Sequence, residues 1–126
     1  MSIPVEVFLE LHSIVISETG GSDRLRDLGR LDQAVAAQIQ NVFGQETYGT
    51  LFEKSAAMMR GIIVDHPFVD GNKRTAVISA LTFLYINGLK FYAIAVEIED
   101  FAVRFATDHL EITMTASWLE HHCKQS

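Results

Sequence analysis

The sequence predicts an all-α fold, a single domain over residues 1–126 built as a compact bundle of about six helices. Three observations predict it. Apolar residues recur at helical spacing in most segments of the chain. One segment, "AVISALTFLYI", is apolar nearly all round, as a helix at the centre of a bundle must be. Start and stop signals bracket the middle helices: Thr50 with Glu53 three residues on, Pro67, and Gly88.

Each element follows from its residues. "PVEVFLELHSIVI" carries Val7, Phe8, Leu11, Ile14 and Val15 on one helical face, and Pro4 suits a first turn. Gly20 and Gly21 mark a loop. "RLDQAVAAQIQNVF" resumes helical spacing at Leu31, Val35, Ile39 and Val42. "GQETYGT" breaks it as a turn or short hairpin. Thr50 and Glu53 form a capping box for a helix presenting Phe52, Ala56, Met59 and Ile63. That helix stops near His66, because Pro67 disfavours the α conformation in the residue before it. The next runs from about Asn72 to Asn87, with Gly88 as its left-handed stop. "KFYA" reads as a short extended piece, "EIEDFAVRFATDH" as a helix with Ile98, Phe101, Ala102 and Phe105 inward, and "TASWLEHH" as a closing helix whose Trp118 and Leu119 cover the core.

The bulk numbers narrow the function. A chain of 126 residues that is 48% hydrophobic, with two prolines, buries a sizeable core and is not disordered. Its formal charge of −6 argues against direct nucleic-acid binding, which needs phosphate-neutralising cations. The single cysteine, Cys123, allows no disulfide framework and points to a reducing compartment. "MSIPVEVFLELHS" lacks the basic region of a signal peptide, and no apolar run is long enough to span a bilayer. A cytoplasmic protein with no membrane association is the expectation.

The stretch "DHPFVDGNKRTA", residues 65–76, places dense polar chemistry at the entrance of the most apolar helix. A helix N-terminus offers unpaired N–H groups and the positive end of a dipole, and so binds anions. Gly71 allows close backbone approach, and Lys73 and Arg74 add positive charge at the same end. Both cations would oppose the helix dipole unless an anion is bound. Asp70 suits a hard cation bridging phosphate oxygens, or a simple N-cap for the helix. His66 is the natural proton acceptor. Phe68 would point into the core and pin the loop. Base, metal carboxylate, anion hole and two cations make a set suited to phosphoryl or nucleotidyl transfer.

"HPFVDGNKR" resembles the signature of the Fic/Doc family, H-x-F-x-[DEN]-[AG]-N-[GK]-R, at every position of the pattern. The likeness extends through "GGSDRLRDLGRLDQAVA", "LFEKSAAMMRGIIVDHPF" and "RTAVISALTFLYINGLKF", about residues 4–119. The resemblance implies the Fic fold, with the signature loop between two central helices. It implies His66 as general base, Asp70 as the Mg²⁺ ligand, Gly71 and Asn72 in the anion hole, and Lys73 and Arg74 on the phosphates of ATP. Lysine at position 73 is similar to the Doc branch, whose members transfer the terminal phosphate to a threonine of elongation factor Tu and stop translation. Glycine there is usual in the AMP-transferring branch, so AMP transfer stands as the alternative activity. An inactive nucleotide- or partner-binding scaffold is the alternative of another class. "QETYG" falls where the family has a flap that aligns the target.

No glutamate is followed by Gly or Asn, so the family's self-inhibitory pattern [ST]-x-x-x-E-[GN] is missing. By the resemblance, restraint would come from a separate antitoxin of the Phd type, its C-terminal helix lying in an apolar groove beside the site. His12, His109, His121 and His122 show no metal-ligand spacing, and neither they nor Cys123 are expected to bind zinc.

Overall fold

α1 (Val5–Thr19) starts directly after an extended Pro4, which caps it without a side-chain hydrogen bond. The structure is a computed structural model and describes residues 1–92, 95–108 and 111–125. The buried stripe of α1 is Phe8, His12 and Val15. Ile14, expected inward, is 50% exposed, and the buried line runs through His12 instead.

α2 (Leu28–Ala36) is capped by the Asp27 carboxylate, which accepts from the Arg30 N–H, and it buries Leu31 and Ala34. It ends earlier than its apolar spacing predicts. Ile39 and Val42 lie exposed beyond it, in and before a hairpin of β1 (Asn41–Val42) and β2 (Gln45–Glu46). The turn explains the break: Phe43 and Gly44 both have positive φ, 52° and 82°, the pairing that a type I′ two-residue hairpin loop requires. Gln38, also past the helix, is buried and gives its amide to the chain start. Its Oε1 accepts from the Ile3 N–H at 2.6 Å and its Nε2 donates to the Ile3 carbonyl at 2.9 Å.

α3 (Leu51–Asp65) begins as expected at Thr50, whose hydroxyl accepts from the Glu53 N–H at 3.1 Å. It packs against α2, α4 (Asn72–Ile86) and α6 (Ile112–His121) and so forms the middle of the bundle. Its crossing with α2 is close because residue 61 is glycine. A Cβ there would lie 2.9 Å from Ala34 Cβ. Met58, Met59, Ile62, Phe83, Leu84 and Leu119 fill the core between α3, α4 and α6. No helix among the described residues is long and apolar enough to cross a membrane.

"KFYA" contributes to β3 (Leu89–Phe91), which pairs antiparallel with β4 (Cys123–Gln125), a strand not anticipated. α5 (Ala95–Asp108) buries Phe101, stacked on Trp118 at 4.0 Å and 7°. Six helices thus account for the architecture of the described residues, with sheet confined to two short pairs. The side chains expected inward at Ala102 and Phe105, and His109, lie outside the described residues.

Candidate active site

The loop from His66 to Gly71 joins the end of α3 to the start of α4. His66 is the C-cap of α3 and adopts the left-handed conformation, φ 48° and ψ 62°. Glycine usually occupies that place, because a Cβ makes it unfavourable. An exposed histidine held there is strained backbone at a candidate site residue. Its surroundings over-determine it. Arg26 Nε donates to the His66 carbonyl at 2.6 Å, Arg26 Nη2 to the Asp65 carbonyl at 2.6 Å, and Arg30 Nη1 to the same carbonyl at 2.9 Å. These guanidinium groups satisfy carbonyls that the helix end leaves unpaired and place positive charge at the negative end of its dipole.

A second strip of chain lies along the loop. The Arg26 and Asp27 N–H groups donate to the Pro67 carbonyl, and Val69 N–H donates to the Arg24 carbonyl. Leu25 and Phe68 form an isolated antiparallel bridge. The segment that reads as a plain glycine loop is therefore one wall of the site. Sequence reasoning had no signal for this pairing beyond the two arginines.

Asn72 closes the loop from inside. It is buried; its Oδ1 accepts from Phe68 N–H at 3.0 Å and its Nδ2 donates to the Phe68 carbonyl at 2.9 Å. That double bond fixes which end of the amide is which. Nδ2 also lies 3.4 Å from His66 Nδ1. Because Nδ2 can only donate, Nδ1 is the acceptor in this long contact, and the neutral ring carries its proton on Nε2. The side chain of Asn72 is thus committed to loop shape.

Asp70 does not cap α4. The N-cap is Gly71, φ 79°, with no side-chain hydrogen bond. The Asp70 carboxylate turns to the second strip, where Oδ2 accepts from Ser22 N–H at 2.8 Å. Gly21 makes that approach possible, since a Cβ there would come within 3.2 Å of Oδ2. One exposed carboxylate of this kind is the donor that Mg²⁺ uses when substrate phosphates and water supply the other ligands. Gly71 has a reason besides ligand approach: a Cβ would meet Ile16 Cδ1 of α1 at 3.1 Å, and φ is positive.

Lys73 and Arg74 are exposed in the first turn of α4. Arg74 Nη2 lies 3.8 Å from Glu99 Oε1 of α5, both side chains being largely exposed. Beside these cations runs an apolar groove of about 260 Å³ between α1, α4 and α5, lined by Val15, Val77, Ile78, Leu81 and Ile98. The segment expected as a flap is partly in the hairpin. Glu46 is tied to Lys54 at 2.8 Å, a residue that lies roughly 18 Å along α3 from His66.

Phe68 is buried as expected, with His12 stacked on it, ring centroids 3.8 Å apart. His122 contacts the Trp118 carbonyl and Glu97, at 2.8 and 3.5 Å. Burial pushes the Cys123 thiol up from its ordinary range, the opposite of what a nucleophile needs.

Fold and site together define a helical protein with a polar, glycine-containing loop between its two central helices. The family model described as the Fic/DOC family matches residues 2–84. The chain is 35% identical over 117 residues to a protein of Escherichia phage P1 named "Protein kinase doc", covering 93% of this chain and 91% of that one. It is 46% identical over 74 residues to one of Mycolicibacterium smegmatis named "Toxin Doc". That match covers 59% of this chain and only 57% of the mycobacterial protein. The chain belongs to the Fic/Doc family.

Proposed function

We propose that the chain is a Doc-type toxin that transfers the terminal phosphate of ATP to a protein hydroxyl, with a threonine of elongation factor Tu as the target, and so arrests translation. One observation carries this reading. α4 opens with no side-chain cap and with two exposed cations, Lys73 and Arg74, at the end of the helix where cations are unfavourable. A bound polyphosphate resolves that conflict, with the first amides of α4 and both side chains meeting its oxygens. The names of the phage P1 and mycobacterial relatives support the same reading.

His66 takes the proton from the attacking hydroxyl, whose oxygen bonds to the γ-phosphorus as the bond to ADP breaks. Asp70 would hold Mg²⁺, which neutralises phosphate charge when bound. Asn72 and Arg26 keep the loop in shape. Such an activity demands restraint. We assign the apolar groove beside Lys73 and Arg74 to the C-terminal helix of a Phd-type antitoxin, by helix-in-groove binding of a disordered tail.

Expression in bacteria tests this. The chain alone should arrest growth, His66→Ala should not, and co-expressed antitoxin should relieve the arrest. Soluble wild-type protein that is harmless at high level would overturn the toxin reading.

A further inference from the structure

His12 is the most deeply buried imidazole among the described residues, 2% exposed in the middle of α1, and the chemistry above does not use it. Its Nε2 lies 2.8 Å from the backbone carbonyl of Asp70. A carbonyl oxygen only accepts, so Nε2 carries a proton and donates it. The ring lies flat on Phe68, 7° from parallel. Its Cδ2 edge would be 3.6 Å from a Cβ at residue 71. One side chain of α1 therefore touches the loop at Phe68, at Asp70 and beside Gly71.

The bonded atom matters. The Asp70 carbonyl belongs to the peptide joining Asp70 to Gly71, the N-cap of α4. Rotation of that peptide would re-aim the Gly71 N–H at the N-cap of α4 and loosen the backbone between the Asp70 side chain, opposite Ser22 N–H, and the first turn of the helix. Asn72 braces the loop at Phe68, and Arg26 braces it at His66. At the Asp70–Gly71 peptide the brace is His12.

We propose that His12 is a positioning residue of this site, its Nε2–H holding the Asp70–Gly71 peptide so that the Asp70 carboxylate and the N-terminal amides of α4 converge on one Mg²⁺–nucleotide. This rests on the nucleotide-binding reading of the loop given above. A merely structural role would make His12 a core filler stacked on Phe68, and the two roles call for different substitutes. His12→Phe keeps the ring and loses the donor. His12→Gln keeps a donor at about the same reach and loses the ring.

The experiment measures three things on wild type and both variants: thermal unfolding, the affinity for a non-hydrolysable ATP analogue as a function of Mg²⁺, and KM and kcat for ATP. Positioning of a metal-ligating carboxylate predicts that His12→Phe stays folded but loses about 10- to 100-fold in Mg²⁺-dependent affinity and in kcat/KM. His12→Gln should recover most of that loss despite a lower melting temperature. In the free wild-type protein, the His12 Nε2–H should give a slowly exchanging imidazole resonance in NMR. Wild-type binding by folded His12→Phe, losses that follow melting temperature in both variants, or a fast-exchanging Nε2–H would each overturn the proposal. A wild-type protein that shows the protected resonance but binds no Mg²⁺–nucleotide overturns the reading of the site, and the role of His12 falls with it.

Discussion

Arg26 reaches from the second strip to donate Nε to the carbonyl of His66 at 2.6 Å, and the same guanidinium holds the Asp65 carbonyl. The planar fork of arginine satisfies two adjacent carbonyls at a helix end at once, which a lysine ammonium cannot match. Arg26→Ala should cost about 1 kcal/mol, the site being solvent-exposed. It should reduce transfer by more than that loss of stability explains, because the released His66 no longer has one orientation. Arg26→Lys should recover part of the stability and little of the activity. Urea unfolding and transfer rates measured side by side check both.

His66 in the left-handed region is a place where function and stability conflict. Replacing it by glycine removes the Cβ that makes the conformation costly. His66→Gly should therefore unfold with about 1 kcal/mol more stability than His66→Ala, both being inactive. Equal stabilities would mean that the backbone at residue 66 is not held left-handed.

Gly61 faces Ala34 where α3 crosses α2. A methyl group 2.9 Å from another has to push the helices apart. Gly61→Ala should destabilise the fold by about 1–3 kcal/mol, against the usual gain of alanine over glycine in a helix. A higher melting temperature for the variant would show that the crossing is looser.

Lys73 occupies the position that is glycine in the AMP-transferring pattern, at the entrance of α4. Lys73→Gly should move the products toward AMP transfer. Separate reactions with α- and γ-labelled ATP read the outcome. Products that carry γ-label alone would mean that Lys73 is not the switch.

The parts of this fold that were legible in the sequence are those set by local chemistry. Thr50 and Pro67 mark the limits of α3, and the run after Arg74 reads as a helix, which buries Ala76, Ala80, Phe83 and Leu84 but leaves Tyr85 exposed and Val77, Ile78 and Leu81 along the groove. Non-local relations were hidden. Apolar spacing ran on through Ile39 and Val42, but Phe43 and Gly44 turn the chain into a hairpin and leave both exposed. Cys123–Gln125 has no strand composition and becomes β4 only because β3 offers it an edge. Within the site, the residues of the signature were legible one by one, while the supports were not. Arg26, Ser22 and His12 bond to backbone or carboxylate atoms of residues 39 or more positions away. Position 12 reads as a lone histidine among apolar residues, with no partner in its own segment.

We propose that this loop transfers the terminal phosphate of ATP with His66 as base. The most direct measurement incubates the purified chain with elongation factor Tu, Mg²⁺ and ATP labelled at either the γ- or the α-phosphate. The target protein should carry γ-label and no α-label, and neither with His66→Ala. Label from the α-phosphate on the target, or no label from folded wild-type protein with either ATP, would contradict it.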